Sequence, residues 1–282
     1  MEAPPAVERV EVEPGLELRV ELHGRRSDGV PLVLVHGFMG SAAAWGDLPR
    51  RLARRRPVVV PELPGHGGSD RPRDPEVYAV PRIASMLART AEALDGVGAD
   101  WLGYSMGGRI VLAGAAEGHL RPRRLVVEST SPGLSDDDAR AARRELDESR
   151  AAALLADGIE PFVDAWLALP LFATQRRLAP AVRARERIRR LGADPAALAA
   201  CLRGGGTGSQ PSYWPALAAL DVPVLLLTGG ADRKFVDLAD AMAARMPRAR
   251  RVTVPGAGHA VHLERADAWL EAVEAFLDAE RP

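Results

Sequence analysis

The chain has 282 residues, a formal net charge of −1, 47% hydrophobic residues and a single cysteine, Cys201. A lone cysteine cannot form an internal disulfide, and the sequence has no Cys/His cluster with metal-ligand spacing, so a disulfide-stapled secreted module and a zinc domain are both excluded. The near-neutral charge argues against a general nucleic-acid binder, which would be markedly basic.

The sequence predicts a cytoplasmic protein. It contains no apolar run near the roughly 18 residues that span a membrane, and its first residues lack the basic start and apolar stretch of a signal peptide. We therefore expect no membrane insertion, no nucleic-acid partner, no metal and no cofactor. No pattern in the sequence indicates an oligomeric state.

Arginine dominates the basic residues, since Lys234 is the single lysine and the other 36 are arginines. A general compositional bias is one explanation. The other is that some of these arginines bind carboxylates, because the guanidinium fork matches carboxylate geometry.

The first third of the chain alternates strand and helix patterns. Val7–Glu13 and Leu16–His23 alternate apolar and charged residues around Pro14-Gly15, which predicts a half-exposed hairpin at a sheet edge. Continuous apolar runs, typical of strands buried on both faces, follow at Pro31–His36, Pro57–Pro61, Asp100–Gly103, Arg124–Thr130, Val222–Thr228 and Arg250–Val254. Helical patterns lie between them at Ser41–Arg55, Val80–Leu94, Ser105–Glu117, Val236–Met246 and Ala266–Leu277. The alternation predicts an α/β fold with a mostly parallel sheet of about eight strands flanked by helices.

The alternation stops at Ser131-Pro132-Gly133 and resumes at Val222. The residues between are rich in Ala, Arg and Leu, and they predict helices that begin near Ser135 and continue over Gly158–Ala168, Thr174–Leu191 and Pro195–Leu202, followed by a flexible exit at Gly204–Gly208. We therefore predict a core of residues 1–133 and 222–282 with a helical cap, residues 134–221, inserted into it.

Gly103-Tyr104-Ser105-Met106-Gly107 follows a predicted buried strand and opens a predicted helix. Glycines on both sides of the serine allow a tight strand-to-helix turn, which exposes the hydroxyl at the carboxyl edge of the sheet. The pattern predicts Ser105 as a nucleophile, in a turn known as the nucleophile elbow.

An activated serine needs a histidine and an acid that orients it. Asp232 follows the strand at Val222–Thr228, and His259 follows the next strand in a loop of small residues. These positions predict Asp232 as the acid and His259 as the base, with His262 as the competing histidine. In an α/β fold with this serine turn, two backbone N–H groups form an oxyanion hole that stabilises developing negative charge. We expect these groups to come from Phe38, which follows the first parallel strand, and from Met106, the residue after the serine.

Together these segments resemble the α/β-hydrolase superfamily over nearly the whole chain, with HGF, LPGHGGS, GYSMGG, GGAD and GAGH in the expected order. Arg109 lies four residues after Ser105, so that it can share the serine's face of the helix. The string GYSMGGR, SPGL and DRKF further resemble the 2-succinyl-6-hydroxy-2,4-cyclohexadiene-1-carboxylate synthases of menaquinone biosynthesis. The chain departs from that family's usual pattern at Glu62 and over Glu128–Ser131.

The resemblance implies a carbon–oxygen lyase whose substrate is a small tricarboxylate, from which a ring proton is removed and pyruvate is expelled. It implies that Ser105, held by His259 and Asp232, is the base. It further implies substrate-binding roles for Tyr104, Arg109, Arg143, Trp166 and Arg190, with Arg144 and Arg189 as neighbouring alternatives to Arg143 and Arg190. The alternative function is a serine hydrolase of esters, thioesters or C–C bonds that uses the same three residues.

Overall fold

A computed structural model describes residues 4–25, 29–94 and 98–279. One sheet of eight strands forms the centre, in the spatial order β1-β2-β4-β3-β5-β6-β7-β8. The strands are β1 (Ala6–Glu13), β2 (Leu16–His23), β3 (Leu32–Val35), β4 (Val58–Pro61), β5 (Asp100–Tyr104), β6 (Leu125–Glu128), β7 (Val224–Gly229) and β8 (Ala249–Val254). β1 pairs antiparallel with β2, and β2 antiparallel with β4, while the remaining neighbours are parallel. The predicted edge hairpin and mostly parallel sheet are confirmed.

Ten α-helices surround the sheet in the described part of the chain. They are α1 (Leu48–Leu52), α2 (Val80–Ala93), α3 (Met106–Glu117), α4 (Asp137–Asp157), α5 (Ile159–Ala168), α6 (Pro180–Leu191), α7 (Pro195–Gly205), α8 (Arg233–Ala243), α9 (Val261–Glu264) and α10 (Ala266–Asp278). Short 3₁₀ helices lie at Ala42–Trp45, Pro75–Tyr78, Pro170–Arg177 and Trp214–Ala219. None of the described helices is long and apolar enough to cross a bilayer.

The apolar runs in the parallel strands supply two hydrophobic cores, because successive side chains of a strand point to opposite faces. Val33 and Val35 pack with residues of α2 and α3 on one face, whereas Leu32 and Leu34 pack with residues of α1 and α10 on the other. Burial on both faces explains why these strands read as continuous apolar sequence instead of alternating. Parallel pairing places the carboxyl ends of β4, β3, β5, β6, β7 and β8 along one edge.

Helices α4 to α7 lie between β6 and β7 in the chain, in the segment predicted as a cap. Asp136 caps α4 by accepting a hydrogen bond from the Ala139 N–H, and two acidic residues follow in the first turn, which suits the positive end of the helix dipole. The expected single helix over Thr174–Leu191 is wrong. Pro180, at the first position of α6, starts a new helix after a 3₁₀ segment.

Two further boundaries differ from the sequence prediction. The helix predicted over Ser41–Arg55 is split into a 3₁₀ helix and α1, with Gly46 at φ 60° between them. The predicted flexible exit at Gly204–Gly208 begins inside α7, which continues to Gly205. Tertiary packing against the core holds those glycines in helical conformation despite their low propensity.

The turn between β5 and α3 leaves no room for side chains at two of its glycines. A Cβ on Gly107 would overlap the carbonyl oxygens of Val35 and His36, and a Cβ on Gly103 would overlap the Gly107 backbone. Helix α3 can therefore approach β3 and β5 this closely only because these positions lack side chains.

We expect Gly107→Ala to lower the free energy of unfolding by at least about 3 kcal/mol, because the collision involves backbone that cannot move aside. Gly192→Ala is the matched control, since the nearest atom to its Cβ would be 3.5 Å away. It should change stability by less than about 1 kcal/mol in urea denaturation. Equal losses in both variants would contradict the packing constraint.

Candidate active site

Ser105 occupies the turn between β5 and α3 with φ 53° and ψ −110°, a left-handed backbone conformation that is costly for a serine. The end of β6 and the loop after it hold Ser105 there. The Ser105 N–H donates to the Glu128 carbonyl at 2.9 Å, and its own carbonyl accepts from the Thr130 hydroxyl at 2.9 Å. The strained turn is thus fixed from both sides, and the side chain projects from the carboxyl edge of the sheet.

The structure brings the three predicted triad residues together. His259 Nε2 lies 3.0 Å from Ser105 Oγ, and His259 Nδ1 lies 2.8 Å from Asp232 Oδ2. His259 is 1% exposed, and its ring packs against Phe235, with 4.6 Å between the centroids. With Asp232 accepting from Nδ1–H, Nε2 is the nitrogen that can take a proton from the serine hydroxyl.

Phe38 and Met106, the predicted oxyanion-hole residues, line the same cavity as Ser105. Phe38 lies in the loop after β3, where the Gly40 N–H closes a turn onto the Gly37 carbonyl at 2.9 Å and Met39 has φ 56°. Met106 is the first residue of α3. Its backbone N–H therefore has no hydrogen-bond acceptor within the helix. Their role as donors to a developing oxyanion stays a prediction.

A cavity of about 680 Å³ opens beside Ser105, and residues of α4, α5 and α7 line it together with residues from the sheet edge. Four cationic side chains line it: Arg109, Arg143, Arg150 and Lys234. Trp166, Leu171 and Phe235 contribute apolar surface. A space of this size and character suits an anionic small molecule that carries an apolar ring.

Arg109 is the most deeply placed of these cations, with 9% of its surface exposed. Its guanidinium donates to Gln210 Oε1 at 2.7 Å and to the Gly205 carbonyl at 2.9 Å, both of them neutral acceptors. Burial, together with the nearby charge of Arg143, lowers the pKa of Arg109 to about 10. The group therefore remains protonated at neutral pH, as a buried charge that no carboxylate hydrogen-bonds in the described structure.

Arg143 and Trp166 also reach the main cavity, as the resemblance implies, whereas Arg144 does not line it and donates to the Gly208 carbonyl instead. Arg143 Nε donates to Asp147 Oδ2 at 2.9 Å. Trp166 packs on Phe38, with ring centroids 5.1 Å apart. Of the two candidates on α4, the structure places Arg143 toward Ser105.

Tyr104 and Arg190 line a second, smaller cavity of about 60 Å³ that shares Ser105, His259 and Trp166 with the first. Arg190 donates to the Glu186 carboxylate at 3.0 Å, and burial lowers the pKa of Arg190. Arg189, the neighbouring candidate, lines the same small cavity and donates to the Met39 carbonyl at 2.6 Å. Substrate binding by Tyr104 and Arg190 stays a prediction, and the structure separates both from the main cavity.

One buried cluster beside the site escaped the sequence analysis. Glu128, at the end of β6, accepts hydrogen bonds from the His262 backbone N–H at 3.2 Å and from Trp269 Nε1 at 2.8 Å, and its Oε1 lies 2.9 Å from His262 Nδ1. His262, the competing base, is therefore engaged away from Ser105. The signal was available in Glu128 itself, since an acidic residue that ends a buried strand needs polar partners.

Cys201 is not a second nucleophile. It is buried, its Sγ lies 3.8 Å from Met106 Sδ, and burial raises the pKa of the thiol to about 12. A buried thiol whose pKa is raised this far forms almost no thiolate, the species that reacts as a nucleophile. Among the described residues, no group of three His, Cys, Asp or Glu side chains could hold a metal ion.

Comparison with known proteins agrees with this geometry. A model of the Alpha/beta hydrolase family matches residues 32–272. The chain is 39% identical over 246 residues, 87% of its length and 89% of the relative's, to a Bacillus subtilis (strain 168) protein named as a 2-succinyl-6-hydroxy-2,4-cyclohexadiene-1-carboxylate synthase. It is 32% identical to the synthase of that name from Enterobacter sp. (strain 638), over 86% of this chain and 91% of that one. The structure of MenH from S. aureus superimposes with a TM-score of 0.87 and 33% identity, covering 92% of this chain and 97% of that one.

Glu128→Gln should lower the free energy of unfolding by about 2–4 kcal/mol, because an amide NH₂ would face donors that now bond a carboxyl group. The control is Glu148→Gln, which weakens an exposed pair with Arg203 and should cost less than about 1 kcal/mol. Urea denaturation measures both. If the two variants lose the same stability, the Glu128 cluster does not support the active-site loop.

Proposed function

The chain belongs to the alpha/beta hydrolase family, and within that family we propose that it acts as a 2-succinyl-6-hydroxy-2,4-cyclohexadiene-1-carboxylate synthase, a carbon–oxygen lyase of menaquinone biosynthesis. The observation that carries this proposal is Arg109. A buried guanidinium without a carboxylate partner, one helical turn from Ser105, is poorly suited to a neutral ester and well suited to a carboxylate substrate.

The reaction converts 2-succinyl-5-enolpyruvyl-6-hydroxy-3-cyclohexene-1-carboxylate into the cyclohexadiene product and pyruvate. The ring proton next to the succinyl ketone is removed, its electron pair moves through a dienolate, and the C–O bond to the enolpyruvyl group breaks. The departing enolate takes up a proton and becomes pyruvate. No water is added, so the family's fold serves an elimination instead of a hydrolysis.

Each triad residue has a role in that sequence. His259 takes the Ser105 hydroxyl proton while the serine oxygen takes the ring proton, and Asp232 stabilises the imidazolium that forms. Backbone N–H groups of Phe38 and Met106 stabilise the negative charge on the dienolate oxygen. His259 then returns a proton to the leaving group. This proposal needs no metal and no cofactor.

The guanidinium groups bind the substrate. Arg109 pairs with a carboxylate close to the reacting ring, because it sits on the same helix as the serine elbow. Arg143 binds a second carboxylate from the cap side, and Trp166 covers the ring. Arg190 and Tyr104 remain proposed for the small cavity behind Ser105. The cytoplasmic location and the absence of nucleic-acid partners stay sequence predictions.

The purified protein should release pyruvate from the tricarboxylate while the substrate's absorbance falls, and Ser105→Ala should reduce kcat/KM by at least about 10³-fold because the base is lost. A coupled assay measures the pyruvate released, while absorbance measures the loss of substrate in the same sample. Brisk cleavage of p-nitrophenyl esters without any pyruvate release would overturn the lyase proposal in favour of a serine hydrolase.

Arg109→Ala should cost about 2–4 kcal/mol of transition-state stabilisation, which lowers kcat/KM about 30- to 1000-fold, because a charge-assisted pair in a dry site is lost. Arg109→Lys keeps the charge without the fork, so it should recover part of the loss. Thermal unfolding of each variant separates this effect from loss of the contacts with Gln210 and Gly205. An unchanged kcat/KM in Arg109→Ala would remove Arg109 from the substrate site.

A further inference from the structure

Arg150 lies on the cavity wall next to the residues already considered, although no sequence motif points to it. It stands seven residues after Arg143 on α4, and both line the main cavity. Its side chain is 24% exposed, and its guanidinium carbon lies 5.5 Å from the centre of the Trp166 ring. Stacking on an aromatic face fixes a guanidinium while leaving its N–H groups available.

The only carboxylate near Arg150 in the described structure is already occupied. Asp147, whose side chain is 3% exposed, accepts from Arg143 Nε at 2.9 Å with Oδ2. Its Oδ1 lies 3.5 Å from Arg150 Nη1, which makes an ion pair without a hydrogen bond, and Oδ1 has no hydrogen-bond partner. One carboxylate therefore serves two guanidinium groups, and the charge of Arg143 lowers the pKa of Arg150 beyond the effect of burial.

Two arginines of the same helical region that do not line the cavity, Arg203 and Arg187, are paired differently. Arg203 forms two hydrogen bonds to Glu148, at 2.8 and 2.7 Å. Arg187 bonds both Asp164 and Glu160, at distances of 2.8 to 3.0 Å. At the cavity, by contrast, Arg143 and Arg150 share the Asp147 carboxylate, and Arg109 hydrogen-bonds only neutral acceptors among the described residues. A carboxylate that enters the cavity can complete the pairing of these guanidinium groups.

We propose that Arg143 and Arg150 form a two-guanidinium clamp for the carboxylate of the substrate's succinyl arm, with Asp147 orienting both side chains and Trp166 supporting Arg150. This inference rests on the proposed function. Arg109, on the nucleophile helix, takes a carboxylate near the reacting ring, and the cap clamp takes the carboxylate at the end of the flexible arm. Arg150 is thus a specificity-determining residue, which contributes ground-state and transition-state binding equally.

The test compares Arg150→Gln with the wild-type enzyme in steady-state pyruvate release. Breaking the clamp weakens binding of the substrate and of the transition state by the same amount. KM for the tricarboxylate should therefore rise about 10- to 100-fold while kcat stays within about 3-fold. Arg203→Gln, which removes an exposed cap arginine, is the matched control and should leave both parameters unchanged. Thermal unfolding of the three proteins shows whether any change reflects loss of folded enzyme.

A substrate analogue separates recognition of the arm from a purely structural role of Arg150. With the succinyl carboxylate converted to its amide, the KM of Arg150→Gln and of the wild type should agree within about 3-fold, because the clamp then has no anion to bind. A KM penalty that persists with the amide, or no penalty with the tricarboxylate, would overturn the clamp.

Failure of the proposed function has a different signature from failure of the clamp. If wild-type enzyme releases pyruvate but Arg150→Gln matches it in KM, only the clamp is wrong. If wild-type enzyme releases no pyruvate, calorimetric titration with the tricarboxylate still tests the clamp. Binding at least 10-fold weaker in Arg150→Gln would support the clamp, and equal affinity would contradict it.

Discussion

Everything functional in this protein depends on the turn at Ser105. Six parallel strands end along one edge of the sheet, and the chain leaves β5, one of the inner strands, through a serine with φ 53° that is followed at once by a helix. The turn exists because Gly103 and Gly107 let α3 approach β3 and β5 without side-chain collision. The loops after β7 and β8 then deliver Asp232 and His259 to the same edge, and the cap closes over them.

The second organising feature is electrostatic. The chain places Arg109 in a buried position among neutral acceptors, and it places Arg143 and Arg150 on either side of a single carboxylate. Buried charge without full pairing is unfavourable in the empty protein. It becomes favourable when a substrate brings carboxylates of its own, so the same residues that reduce stability would supply binding energy and reject neutral esters.

The core of the fold was predictable because its signals are local. Apolar runs indicated the parallel strands. Small residues and glycines after those strands indicated Ser105, Asp232 and His259, which the structure brings within hydrogen-bonding distance of one another. The cap was harder to predict, since its helices are rich in arginine and the sequence pattern does not tell which arginines face inward. Arg150 was missed for that reason. Arg190, which the resemblance implies as a substrate-binding residue, lines the smaller cavity. It lies on α6, a shorter helix than the one predicted, because a new helix begins at Pro180.

A crystal structure of Ser105→Ala with the tricarboxylate bound tests the account most directly. The account predicts one substrate carboxylate within hydrogen-bonding distance of Arg109, a second between Arg143 and Arg150, and the ring over the position vacated by the serine oxygen. It would be contradicted by a ligand whose carboxylates point to solvent while Arg109 keeps its bonds to Gln210 and Gly205.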